Sequence, residues 1–132
     1  MIKHTKIRTL VIEGLKSHIP DVTTYDGRPV NFDESELPVI AVYLTEPRPI
    51  PEYLDSNQWS AILHIELFLK AAKSDSVLDS WVETKLYPAI SHLTDLGDVI
   101  TDMTTKGYDY DRDDEMMLWA SVDLTYQIEY EM

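Results

Sequence analysis

The chain has 132 residues and a mass of 15.2 kDa, the size of one domain, with 44% hydrophobic residues and a formal charge of −13. That length buries a single core without staples, and the apolar share excludes a disordered chain. The absence of cysteine excludes disulfides, thiolate zinc sites and cysteine nucleophiles together.

In chain order, residues 5–18 carry Ile7, Leu10, Val11, Gly14 and Leu15 on one helical stripe, with Thr5 read as N-cap and Pro20 as terminator. A short strand, Val22 to Tyr25, precedes the turn signal Asp26-Gly27-Arg28-Pro29. Val39 to Thr45 is a continuous apolar run that suits an inner strand covered on both faces. From Glu46 to Gln58, prolines at 47, 49 and 51 point to a stiff extended loop, with either a connector or a contact role. Ala61 to Leu69 alternates, placing Ala61, Leu63, Ile65, Leu67 and Leu69 on one face and Ile62, His64, Glu66 and Phe68 on a half-covered one.

Ser76 to Ile90 reads as a second helix with Leu78, Trp81, Val82, Leu86 and Ala89 on its stripe. Ser76 and Asp79 resemble a capping box, and Pro88 is expected to kink or end the helix. A short helical piece near Asp95–Asp102 follows, then a strand around Met103–Tyr110 and a final one from Leu118 to Tyr130. In that last strand Leu118, Ala120, Val122, Leu124, Tyr126 and Ile128 face the core, and Trp119, Ser121, Asp123, Thr125, Gln127 and Glu129 face away. The order α-β-β-β-α-β-β defines a single α+β domain, a mixed sheet with two helices on one face. Trp119 and Phe68 on the other face leave room for a second subunit to cover it.

The charge is uneven. Residues 1–30 hold five Lys or Arg (Lys3, Lys6, Arg8, Lys16, Arg28) against three acids, and the rest holds six against 21. Nothing supplies the basic face that a phosphate backbone requires. No stretch approaches the ~18 apolar residues of a spanning helix, and no signal-like apolar block opens the chain. A soluble, intracellular protein without membrane contact is expected.

The acidic run Tyr108-Asp109-Tyr110-Asp111-Arg112-Asp113-Asp114-Glu115 is the chemical focus. Asp109, Asp111 and Asp113 match the start of a calcium loop, but its sixth position is Asp114 instead of Gly and its twelfth is Ala120 instead of Glu. Weak Mg²⁺ association through Asp109 and Asp111 remains as an alternative to a plain exposed turn between two strands. His64-x-Glu66 matches half of a zinc deaminase motif whose cysteines are missing; a hydrogen-bonded strand histidine is the expectation. Four scattered glycines make no phosphate-cradling loop. No catalytic set or cofactor site emerges. Trp81 is assigned to the core, and Tyr108, Tyr110 and Tyr130 to partly wet contacts near strand ends, with core packing an equal alternative for Tyr108.

Together these pieces resemble the minor tail protein U family, the tail terminators of lambda-like long-tailed phages. The matching residues run in order over nearly the whole chain: Tyr25 to Pro29, Phe32 to Glu34, Ala41 to Thr45, Leu54 to Ser56 with Trp59, and Leu63 to Glu66. They continue with Asp75, Ser76, Leu78, Asp79 and Trp81, Tyr87-Pro88, Gly107 to Tyr110, Arg112 to Asp114, Leu118-Trp119, Asp123 to Tyr126 and Tyr130 to Met132. The proline-rich 46–53 segment, Lys70, Lys73 and Asp111 depart from the family pattern.

The resemblance implies a non-enzymatic virion-tail protein, assembled in the host cytoplasm. It implies a homohexameric ring on the head-proximal end of the tail tube, with the tube protein and a head-completion (connector) protein as partners. DNA would pass through the lumen without specific binding. Asp26, Arg28, Asp75, Tyr108, Asp109, Tyr110, Arg112, Asp113, Asp114 and Trp119 are the candidate subunit or partner contacts. Asp75 is either a helix-start residue or a charge near the subunit boundary that opposes assembly; Arg28 and Arg112 pair within the chain or bridge subunits. Six copies at −13 each repel one another, so salt or Mg²⁺ is expected to promote the ring. The rival functions are a metal-dependent nuclease or phosphoryl-transfer enzyme on Asp109, Asp111 and Asp113, and an acidic DNA-mimic module.

Overall fold

The computed structural model describes residues 2–29, 33–51 and 57–132. Among them, five strands form one mixed sheet in the order β1-β2-β3-β5-β4: β1 (Thr23–Asp26), β2 (Val39–Pro49), β3 (Gln58–Lys70), β4 (Asp102–Arg112) and β5 (Trp119–Glu131). Among the described residues, only β1 and β2 are parallel. The alternating patterns of β3 and β5 pair along their full length, Gln58 opposite Glu131 and Lys70 opposite Trp119. Every second residue of both strands therefore joins one apolar surface.

Two helical elements cover that surface. Helix α1 (Lys3–His18) buries Ile7, Val11 and Leu15. The second is a continuous rod made of α2 (Asp75–Trp81), a π-helical stretch over Val82–Leu86 and α3 (Tyr87–Ile90). It buries Leu78, Val82, Leu86 and Ala89, while Trp81 is partly buried beneath Lys85, whose Nζ lies 3.9 Å from the ring centre. Pro88 has no N–H for the carbonyl one turn back and would crowd it; the wider π turn ahead of it accommodates the ring, so of the kink or end expected there, the end does not occur.

Local capping differs from expectation. α1 begins two residues before Thr5, which sits inside the first turn and accepts a bond from Arg8 Nη2. Ser74, not Ser76, precedes α2; Ser76 lies inside the helix, so the Ser76–Asp79 capping box does not form, and Asp79 accepts instead from Tyr110 Oη. The short helical piece is a 3₁₀ turn over Thr94–Asp98.

The expected loop from Glu46 is strand as far as Pro49. β1 accompanies β2 only to Val42, so beyond that point β2 has a free edge among the described residues, and an edge tolerates proline. The register shifts between Thr45 and Arg48, with Glu46 at φ 54°. Residues 52–56 of that segment, and Phe32 of the family pattern, lie outside the described residues. β4 has its own bulge between Thr105 and Gly107, where φ is +141°, a conformation open to glycine.

Candidate assembly surface

The acidic run is two structures rather than one connection. Through Arg112 it belongs to β4, an edge strand, and only the residues after it turn back toward β5. Pairing with β5 sorts its side chains by face. Tyr108, Tyr110 and Arg112 stand opposite Leu124, Val122 and Ala120, on the helical side; Asp109 and Asp111 stand opposite Asp123 and Ser121, on the open side.

On the helical side, Tyr110 donates to Asp79, and this bond is the main reason its phenol is held well above the usual range. Arg112 Nη1 donates to the carbonyls of Ala71 and Lys73 at 3.1 and 3.3 Å, and Nη2 to Asp75 Oδ1 at 3.0 Å. This fork fastens the end of β4 to the start of α2. Asp75 is the first residue of that helix, where a carboxylate also meets the positive end of the helix dipole. Tyr108 and Tyr110 stay substantially exposed, their rings 5.9 Å apart. Tyr130 is a correction: it is fully buried, its hydroxyl 2.7 Å from His4 Nε2, because it alternates onto the helical side of β5.

Asp113 makes the turn. Its carboxylate accepts from the backbone N–H groups of Glu115 (3.1 Å), Met116 (3.1 Å) and Leu118 (2.9 Å). The Leu118 and Met116 bonds lead in holding its pKa below the ordinary value. That commits Asp113 to structure and away from a three-carboxylate metal set with Asp109 and Asp111. Among the described residues, no three acidic or histidine side chains converge as a metal-holding group. The turn presents Met116 and Met117 to solvent at 68% and 75% exposure.

Beside Phe68, Trp119 and His64, the open face holds a network that the sequence did not single out. Val39, Ala41, Tyr43 and Phe68 form a second apolar cluster, already buried within the single chain against Tyr25, Leu37 and Trp119. Trp119 meets Phe68 edge-on at 5.1 Å, and the Arg28 guanidinium lies 5.6 Å from the Tyr43 ring centre. Beside them Glu66, 4% exposed, accepts from Tyr43 Oη and Ser121 Oγ, each at 2.7 Å. Burial raises the pKa of Glu66, and Asp123 directly across the strand adds to the effect; Tyr43 is raised by burial and by its bond to Glu66. His64 stacks on Tyr43 at 4.4 Å and bridges Asp123 Oδ2 (2.8 Å) and Thr45 Oγ1 (2.7 Å), the hydrogen-bonded role expected for it. A cleft of about 640 Å³ opens over this face, with Arg28, Phe68 and Trp119 in its lining and Asp111, Asp113 and Asp114 at its acidic end.

The structure thus divides the candidate residues. Asp75, Tyr108, Tyr110 and Arg112 share one corner, and Arg28, Asp111, Asp113, Asp114 and Trp119 line the cleft on the other face, which Arg112 also borders. Asp109 faces Asp123, and Asp26 stands apart, tied to Arg8 of α1 at 2.5 Å. Arg112 pairs within the chain. The signal for the missed network was present but weak: Glu66 lay on the half-covered side of its alternation, and Tyr43 carried a hydroxyl within an apolar run.

A sheet backed by two helices, with an acidic edge strand and exposed aromatics, defines a structural module with surfaces to offer other proteins. The family model described as phage minor tail protein U matches residues 2–130. The tail tube terminator protein of Escherichia phage lambda is 50% identical over 131 residues, covering 99% of this chain and all of the relative. The tail tube terminator protein of Escherichia phage N15 is 48% identical over 132 residues, with coverage of 99% and 100%. The chain belongs to the phage minor tail protein U family; it is a structural, non-enzymatic component of the virion tail with a tail terminator role. None of its described helices is long and apolar enough to cross a membrane.

Proposed function

We propose that six copies of this chain form a ring on the head-proximal end of the tail tube, where the ring stops addition of tube subunits and offers a surface to the head-completion protein. DNA passes through its lumen without specific binding. The observation that carries this reading is end-to-end similarity to two tail tube terminators, about half the residues being identical with the relatives covered in full.

A closed ring uses heterologous contacts, one patch meeting a different patch on the next copy. The exposed corner at Tyr108, Tyr110, Asp75 and Arg112 and the open-face cleft are two such unlike patches on one subunit. Because each copy carries −13, salt or Mg²⁺ screens the approach and promotes the ring. Electron microscopy of the protein with purified tail tubes tests the function: rings and a cap at one tube end only are expected, and caps at neither end or at both would overturn it. Sedimentation tests the charge argument separately. The same oligomer at low salt with EDTA as with millimolar Mg²⁺ would remove it.

A further inference from the structure

The two helical elements that cover the sheet finish on the same dipeptide. α1 closes with Ser17-His18, and Ser91-His92 follows α3. Each copy makes the same bonds to its own helix end. Ser17 Oγ donates to the Gly14 carbonyl at 2.9 Å, and Ser91 Oγ to the Pro88 carbonyl at 2.8 Å. His18 Nδ1 lies 3.0 Å from the Gly14 carbonyl oxygen, and His92 Nδ1 2.6 Å from that of Pro88. A carbonyl oxygen only accepts, so in each neutral ring the proton sits on Nδ1 and the lone pair on Nε2. Among the described residues, none bonds to either Nε2.

The tertiary fold sets the two rings side by side, centroids 5.0 Å apart and planes inclined by 31°. Gly14 makes the approach feasible, since a Cβ there would meet Leu93 Cδ2 at 2.2 Å. Both histidines are exposed and share a cleft of about 260 Å³ with Glu13. Two imidazoles bound to one tetrahedral ion through bonds of ~2.0–2.1 Å have ring centres about 5 Å apart. A backbone carbonyl on the second ring nitrogen is the usual device that orients a metal-binding histidine. Both helical elements also turn their negative ends toward this place, which favours a cation.

We propose that His18 and His92 form a two-histidine site for a transition-metal dication of the zinc class, clamping the end of α1 to the end of α3. Water completes the coordination, since among the described residues no third acidic or histidine side chain converges with the two rings. Imidazole suits Zn²⁺, Ni²⁺ and Cu²⁺, whereas Mg²⁺ prefers oxygen. The site is therefore separate from any effect of Mg²⁺ on assembly, and it stands whether or not the ring forms.

The test is Zn²⁺ titrated into the full chain, read by calorimetry and by the imidazole ¹⁵N shifts. One ion per chain in the micromolar range is expected, with the Nε2 signals of His18 and His92 moving together and excess Mg²⁺ failing to compete. His18→Gln and His92→Gln should each weaken binding about tenfold or more, the double variant little further. Unchanged affinity in both variants, movement of one ring alone in the wild type, or a response confined to millimolar Zn²⁺ would overturn the proposal.

Discussion

The two faces of the sheet use the same strands and hold together by different means. On the helical side Leu63, Ile65 and Leu67 of β3 and Val122, Leu124 and Ile128 of β5 are buried to within 1% and pack directly under α1 and the α2–α3 rod. On the open side a four-residue apolar cluster adjoins Glu66, Ser121, His64 and Asp123, joined by hydrogen bonds with fixed partners. Apolar packing supplies area and tolerates any shape of similar volume. A buried hydrogen-bond network works in one register only, and a lost partner costs more than the bond contributed. The helical side thus carries the bulk of the stability, and the open side fixes the geometry of the surface that holds Arg28, Trp119 and the acidic turn.

The sharpest way to break this contrast is Leu63→Ala. Removing a fully buried leucine should cost about 3 kcal/mol and lower the melting temperature by roughly 10 °C. A fall of only one or two degrees in calorimetry would show that the helical side is not the main source of stability. Glu66→Ala comes next. It strands the hydroxyls of Tyr43 and Ser121 while relieving a buried charge, for a net loss of about 2 kcal/mol. It should also shift the indole signal of Trp119, and an unmoved indole would separate the network from the surface above it.

The smallest effect is a widened gap between the titrations of two carboxylates. Asp113 is depressed below 3.8, so its contribution is complete above that pH and is lost as pH falls through the lower folded value. Glu66 is raised above 4.5, so across the window from 4.5 up to its folded value stability declines as pH rises. Amide shifts of Glu115, Met116 and Leu118 should hold steady down past pH 3.8, while the Glu66 carboxyl titrates above 4.5. An NMR titration that placed Asp113 at or above 3.8 and Glu66 at or below 4.5 would contradict both assignments.

Much of the fold is legible because it rests on short periods. The alternation over Ala61–Leu69 and Leu118–Tyr130, and the stripes of Ile7, Val11 and Leu15 and of Leu78, Val82 and Leu86, each state which side is buried without reference to any distant residue. The ordered motifs from Tyr25 to Met132 likewise carry the family. Less of the candidate surface could be read. Tyr130 and Tyr110 look alike beside acidic neighbours and both face the helical side, yet Tyr130 on the inner strand β5 is buried and Tyr110 on the edge strand β4 is exposed. Asp113 resembles a ligand in a list of carboxylates and proves to be the acceptor that forms the turn.

By itself, then, the sequence determined the α+β class, the helical-side core and the kinship to tail terminators, all of which depend on local pattern or ordered identity. Only the tertiary structure decided that β5 lies between β3 and β4, that Glu66 meets Ser121, that Arg112 locks onto Asp75, and that two separate Ser-His helix ends converge. Those contacts join residues 37 to 74 positions apart, and local periodicity says which way a side chain points but not what it meets there.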